Sequence, residues 1–509
     1  MRGRPGRLGV VIGALTLTTA GWSSAPVEPR PNGFTSGSAS LGAPSGCAVA
    51  TLRADADSLD HLVSSTMAQQ SVPALSIAVI DHGHVSTRAY GWADLENCVP
   101  ATDTTLFGLG SISKHFTAVG ALLLVRAGKL TLDDPITKYL PEGTGVWDSV
   151  TVRHLLTHTS GIPDYCGDDD KYPSITLDRA SSPDTPTLVR QIAAAKLNFR
   201  PGDDWAYSNT GFLLLSVLIE RVSGESFPAY MREHVFVPAG MTRTRYYSPI
   251  ALIQGRATPY HEDSAGVITH GPFVSDQFSR WGDMGMLSTA RDMAQWSLAM
   301  DSLRVLAPEL WKQMLTPVRL NQGWTYPYGF GLFLWEDEAG NATVSHPGTF
   351  RVGYASDFLR IPRRGVAVIL LSTGYGPRFQ KSLLARRIAE TVDRSLASSA
   401  YAGERPDPQP EITRALAQFL RADDAAHGAA PMTPAFRSLV FPTHAMQQLR
   451  KNDRLAFLRC ADRSRNPFDA YGTPVTRACT YRSDGASGPA VVTFYLTHQN
   501  EVADVWVHD

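Results

Sequence analysis

Apolar residues recur along this chain with two distinct periods. Over residues 58–69 they return every three or four positions, the stripe of an amphipathic helix. Residues 74–81 and 85–92 are instead short apolar runs on either side of Asp81-His82-Gly83-His84, a pattern that predicts a β-hairpin. A nearly unbroken apolar helix follows over residues 118–125, with Gly128 placed to cap its end. Further helices are predicted over 152–158, 188–195 and the strongly apolar 211–222, and over 290–303 behind Ser288 or Thr289 as N-cap. Residues 328–335 alternate like a strand, and 342–345, 353–359 and 366–372 read as consecutive antiparallel strands closed by a helix over 378–396.

Residues 398–410 (SSAYAGERPDPQP) break the pattern as a linker. Beyond them a helix over 411–421 precedes four strand-like runs, 454–460, 476–482, 489–497 and 502–508, which suit a small antiparallel sheet with one wet face. The expected organisation is therefore a domain over 50–397, the linker, and a small α+β domain over 411–509. At the other end Arg2, Arg4 and Arg7 precede an apolar run, 8–17, and small residues up to Ala25. That is the layout of a secretory signal peptide over 1–25, followed by a Pro-, Gly- and Ser-rich flexible leader over 26–49. The apolar run is too short for a stable membrane span, so the expectation is export to the periplasm or medium, with a retained signal anchor as the alternative.

A chain of 509 residues exceeds one ordinary core, which agrees with more than one domain. Its composition, 43% hydrophobic and 19% charged with a formal net charge of −1, is that of a soluble globular protein. It gives no electrostatic ground for nucleic acid or an anionic membrane surface as partner. Five cysteines without a Cys-x-x-Cys pair fit an exported protein better than a metal site. Cys460 with Cys479 is the first candidate disulfide and Cys47 with Cys98 the second, leaving Cys166. His154 and His158 stand at the i, i+4 spacing of zinc ligands, but position 155 is leucine where a metalloprotease carries glutamate, so helix capping or packing is expected of them. No metal and no organic cofactor is implied, and the oligomeric state is not legible.

The chemistry concentrates in three short stretches. Ser111 and Lys114 lie three residues apart at the head of an apolar helix, on one face, where a neutral amine can take the hydroxyl proton and make a nucleophile. Tyr207 and Asn209 stand in a polar turn at the entrance of the 211–222 helix; alone they read as a turn tyrosine and a capping asparagine. His346-Pro347-Gly348-Thr349 lies ahead of the last strands. A glycine-containing turn with Asp283 precedes the 290–303 helix; its aspartate faces either the cleft or, more simply, solvent.

One Ser-x-x-Lys, one Tyr-x-Asn and one His-x-Gly in this order resemble the serine β-lactamase and D,D-peptidase superfamily, closest to the branch of class C β-lactamases, D,D-carboxypeptidases and related esterases. The phrases GKLTLDDPITKYLPE, LLTHTSGIPDY, FRPGDDWAYSNTGFLLL and VFVPAGM look like that family too, and the resemblance covers residues 57–392. It implies an α/β (α+β) fold, an antiparallel sheet flanked by helices plus a helical lobe. It implies Ser111 as acylated nucleophile, Lys114 and Tyr207 sharing base and acid work with the division between them open, and Asn209 as a ligand of the substrate carbonyl. Gly348 would let substrate approach the strand, and the N–H groups of Ser111 and Thr349 would form an oxyanion hole, worth roughly 3 to 4 kcal/mol per donor. His346 replaces the lysine usual in β-lactamases, and Pro347 removes an N–H from the substrate edge, so substrates without a strongly held carboxylate are expected. The implied activity is hydrolysis of an ester, an amide or a peptide-like substrate. A penicillin-binding sensor that acylates with little turnover and a weak β-lactamase are the alternatives.

Overall fold

The computed structural model describes residues 57–508 apart from internal stretches, the longest of which fall within 422–453. The expected signal peptide, the leader and most of the 398–410 linker lie outside the described residues.

The core of the fold is a seven-stranded antiparallel sheet in the order Phe333–Glu336, Ala342–Phe350, Tyr354–Ile361, Val366–Thr373, Ala74–Asp81, His84–Asp94, Val99–Pro100. The first long strand pairs with the last, Ala74 opposite Thr373 and Asp81 opposite Val366, so the two ends of the region are closed on each other. Alternation along these strands feeds two cores. Leu75, Ile77, Val79, Val368 and Leu370 meet the helices Ser58–Gln69 and Lys381–Val392 on one face through Val63, Met67, Leu384 and Ile388. Ala74, Ala78, Ile80, Ile369 and Leu371 join the larger core on the other face, with Phe116 and Leu122 of the helix Ser113–Arg126 and Phe212 and Leu215 of the helix Asn209–Ser223. All eight positions of Val366–Thr373 are buried, which is why that strand reads as an unbroken apolar run.

Two elements depart from the sequence expectation in ways that matter for the site. The alternating stretch from Tyr328 becomes a strand only at Phe333–Glu336. The strand expected to stop at Ser345 runs on through His346, Pro347, Gly348 and Thr349 to Phe350. It can carry a proline because Phe333–Glu336 pairs only with residues 342–345, so from His346 onward that edge has no neighbouring strand among the described residues.

The C-terminal region forms a four-stranded antiparallel sheet, Arg454–Asp462, Arg477–Gly485, Gly488–Leu496 and Val502–His508. Leu416 and Leu420 of the helix Pro410–Arg421 pack with Phe457, Tyr481 and Phe494 into a core of their own. Cys460 faces Cys479 across adjacent strands and is disulfide-bonded to it. Cys98 is also disulfide-bonded, and its expected partner, Cys47, lies outside the described residues. Among the described residues no helix is long and apolar enough to cross a membrane.

Candidate active site

Ser111 sits in a 3-10 turn, Gly110–Ile112, that feeds the helix Ser113–Arg126. Gly110 has a φ of +52°, and a side chain there would fall 2.5 Å from the backbone nitrogen of Thr349, so only glycine fits. Gly348 makes the reciprocal approach: a Cβ would meet the Leu109 carbonyl oxygen at 2.0 Å, an oxygen that also accepts a 2.6 Å hydrogen bond from Ser356 Oγ. Two glycines thus let the nucleophile loop and the strand touch backbone to backbone. What Gly348 makes room for is that loop, where room for substrate was expected.

Lys114 is fully buried, and its Nζ lies 3.0 Å from Ser111 Oγ, 2.7 Å from Asn209 Oδ1 and 2.9 Å from the Asp283 carbonyl oxygen. An amide oxygen and a backbone carbonyl can only accept, so they take two of the lysine's hydrogens; a hydroxyl can also donate. In the neutral amine, which keeps two hydrogens and one lone pair, the Ser111 hydroxyl can donate to that lone pair.

Asn209 is held from the other side. Asp164 Oδ1 accepts the Asn209 N–H at 2.6 Å and Asp164 Oδ2 the side-chain amide at 3.3 Å, which turns Asn209 Oδ1 toward Lys114. Asn209, expected as a substrate ligand, is completely buried in this structure with its Oδ1 accepting from Lys114. Tyr207 remains half-exposed, with its ring centroid 4.8 Å from Lys114 Nζ. Ser111, Tyr207, His346 and Thr349 line one cleft of about 290 Å³. The structure therefore gathers all three short motifs at a single place.

The same cleft holds two cations, Arg351 and Lys381, with Lys381 Nζ donating to Thr349 Oγ1 at 2.7 Å. Sequence reasoning missed both, because the turn after Phe350 and the start of the closing helix reach the site only through the fold. Asp164 was missed too, although it stands next to last in the quoted LLTHTSGIPDY phrase.

The β-lactamase family model matches residues 59–393. The chain belongs to the β-lactamase family. It is 30% identical over 309 residues to penicillin-binding protein 4* of Bacillus subtilis (strain 168), an alignment covering 58% of this chain and 67% of that protein. It is 28% identical over 388 residues to a D-aminopeptidase of Brucella anthropi, covering 74% and 70% respectively. The octameric penicillin-binding protein homologue of Pyrococcus abyssi shares the fold, with a TM-score of 0.57 at 23% identity over 88% of this chain and 97% of the other. As a member of this family the chain is a serine hydrolase.

In this β-lactamase-family site Asp283 is neither in the cleft nor in solvent, which corrects both expectations. It is fully buried, Tyr165 donates to its Oδ2 at 2.5 Å, and its Oδ1 has no hydrogen-bond partner. Burial pushes its carboxyl up to about 6 from the ordinary 3.8, against the opposing pull of Lys114 and Tyr165. A carboxyl that binds its proton more tightly folded than unfolded adds stability at low pH. That contribution is complete below about pH 4 and is lost as pH rises through about 6. Thermal melts at pH 4.5 and 7.5 should therefore differ less in Asp283→Asn than in the wild type.

The two histidines at zinc spacing do other work. His154 Nδ1 accepts the Thr151 N–H at 3.1 Å while Thr151 Oγ1 accepts the His154 N–H, a reciprocal helix cap. His158 is buried behind the cleft, where its ring packs 4.5 Å from that of Tyr207.

Proposed function

We propose that this serine hydrolase is exported and opens an ester or amide through an acyl-enzyme on Ser111, and that its substrate carries an anionic group. The observation that carries the first part is the 3.0 Å contact between Lys114 Nζ and Ser111 Oγ, across which the neutral amine can accept the hydroxyl proton. Lys114 takes the hydroxyl proton as Oγ attacks the carbonyl carbon. The tetrahedral oxyanion is held by the backbone N–H groups of Ser111 and Thr349, and the leaving group takes a proton from the Tyr207–Lys114 pair as its bond breaks. Water then attacks the acyl carbon, hands its proton back through the same pair, and frees Ser111.

The anionic group follows from the cleft wall. Arg351 and Lys381 line it and, among the described residues, no carboxylate does, so these residues offer no counter-ion to the free amine of a D-aminopeptidase substrate. This reverses the expectation drawn from His346 and Pro347 alone. The charge absent from the strand is supplied by the turn and helix beside it. Alignments spanning 67% and 70% of the two curated relatives leave the substrate of each a statement about that protein.

Two p-nitrophenyl esters of equal length, one neutral and one ending in a carboxylate, test the assignment. The wild type should favour the anionic ester. Arg351→Ala should raise KM for it about tenfold more than for the neutral one, a difference of about 1.4 kcal/mol. Equal responses would show that the cations do not read substrate charge. Mass spectrometry after addition of a β-lactam separates a hydrolase, which returns to its free mass, from a sensor that keeps the adduct. N-terminal sequencing of protein recovered from the medium checks export; a mature chain beginning at Met1 contradicts it.

A further inference from the structure

Behind the cleft runs a line of hydrogen bonds whose direction is fixed at both ends. The Ser208 N–H lies 3.0 Å from His158 Nδ1, and a backbone N–H can only donate, so Nδ1 is an acceptor and the proton of neutral His158 is on Nε2. His158 Nε2 is 3.0 Å from Tyr328 Oη, and Tyr328 Oη is 3.3 Å from His346 Nε2. At the far end His346 Nδ1 is 2.6 Å from the Pro347 carbonyl oxygen, which can only accept, so Nδ1 carries the proton and Nε2 is the acceptor. Only one orientation satisfies every contact: Ser208 to His158, His158 to Tyr328, Tyr328 to His346, His346 to Pro347. His158, Tyr328 and His346 are each essentially without solvent contact.

We propose that His158 and Tyr328 are positioning residues that lock His346 as a neutral ring with its one N–H committed to the Pro347 carbonyl, so that His346 holds the oxyanion strand and donates nothing to the substrate. The strand itself explains why such a clamp is needed. Pro347 has no N–H to give to a ladder, Gly348 has no side chain to limit its dihedrals, and the edge they face is uncovered by a neighbouring strand. The Thr349 N–H therefore sits where the strand is held by the Tyr354–Ile361 strand and the Gly110 loop, but by no second strand among the described residues. A donor on the Pro347 carbonyl fixes the peptide plane next to it. The line also ties Ser208, which lies between Tyr207 and Asn209 and caps the Asn209–Ser223 helix, to the His-Pro-Gly stretch, so two of the three motifs are braced against each other. The left-handed φ of +60° at His158 belongs to the C-terminal cap of the short helix Val152–Leu156, where the Thr159 N–H closes onto the His154 carbonyl oxygen, and that cap sets the ring's starting point.

The surroundings keep the rings neutral. Burial pushes His346 down to about 3, with Lys114, when its amine is protonated, and Lys381 adding to the shift and the Pro347 carbonyl opposing it. Burial, then Lys114 and His346, hold His158 well below its ordinary value. Burial likewise raises the Tyr328 phenol well above its usual range, so it stays a donor.

The role in turnover rests on the acyl-enzyme reading above; the state of the rings does not, and the test separates the two. Long-range proton–nitrogen spectra of the whole protein with 15N-labelled histidine, at pH 5 and 6, should show His158 protonated on Nε2 and His346 on Nδ1, both neutral. An Nε2-protonated or charged His346 at pH 6 overturns the proposal whether or not any ester is hydrolysed. In turnover of a p-nitrophenyl ester, Tyr328→Phe should lower kcat about tenfold with KM within twofold. His346→Asn, whose amide N–H stands near the place of Nδ1–H, should keep at least a third of wild-type kcat. His346→Gln, which reaches the Nε2 place, should lose thirtyfold. The reverse order for Asn and Gln would show that the Nε2 side is what the reaction uses, and would overturn the proposal. If a variant fails to fold, the wild-type spectrum alone decides.

Discussion

Replacing Ser111 with alanine is expected to cut ester hydrolysis by about a millionfold, the loss that removal of a serine hydrolase nucleophile can reach when binding and the oxyanion hole are all that remain. The reason is structural as well as chemical. Ser111 Oγ is a partner of Lys114 Nζ that can donate a proton, and as the proposed nucleophile it opens onto the cleft beside Tyr207 and Thr349. Removing the hydroxyl leaves the base without that proton. The same change should hardly touch the fold, because the neighbouring Gly110 and Ile112 carry the packing and Ser111 is only half-buried. A melting temperature within a few degrees of wild type, with no acyl adduct by mass spectrometry, is the expected pair of results. Full hydrolysis in Ser111→Ala would place the nucleophile elsewhere.

How much of this was legible in the sequence follows from the range over which each feature acts. Ser111 with Lys114, and Tyr207 with Asn209, are neighbours along the chain, so helix and turn geometry brings each pair together before any tertiary contact is known. The apolar runs 74–81 and 366–372 were legible as strands for the same local reason. Asp164, Lys381 and Tyr328 were not, because each acts on a residue that only the fold delivers: Asn209 at 2.6 Å, Thr349 at 2.7 Å, His346 at 3.3 Å. Asp283 misled for a different reason. A glycine-flanked aspartate ahead of a helix has the composition of an exposed turn, and nothing local says that Lys114 will reach in and bond that turn's carbonyl. Pro347 was legible as a residue whose missing N–H falls on the open edge of a strand, while the apolar run itself stopped at Ser345. The strand continues because its free edge asks for no donor there.

Lys114→Met and Tyr207→Phe together should settle which group is the base, and they should differ by substrate. Methionine fills the same volume without the amine, so the Ser111 proton has no acceptor; general-base loss of about 10^3-fold or more is expected on every substrate, whatever its leaving group. Asn209 Oδ1 and the Asp283 carbonyl would also lose their donor inside a dry pocket, and each such group costs about 1 to 3 kcal/mol, so this variant should melt well below wild type. Tyr207→Phe removes a hydroxyl from a half-exposed ring and leaves Asn209 Oδ1 and the Asp283 carbonyl their lysine donor, so it should melt closer to wild type than Lys114→Met. If Lys114 is the base and Tyr207 the acid, the phenylalanine variant should turn over a p-nitrophenyl ester within about tenfold of wild type, because nitrophenolate leaves without a proton. The same variant should lose about 10^3-fold on an amide, whose amine cannot leave unprotonated. Equal, large losses on both substrates in Tyr207→Phe would make the tyrosine the base, and would recast Lys114 as the charge that keeps its phenol ionised.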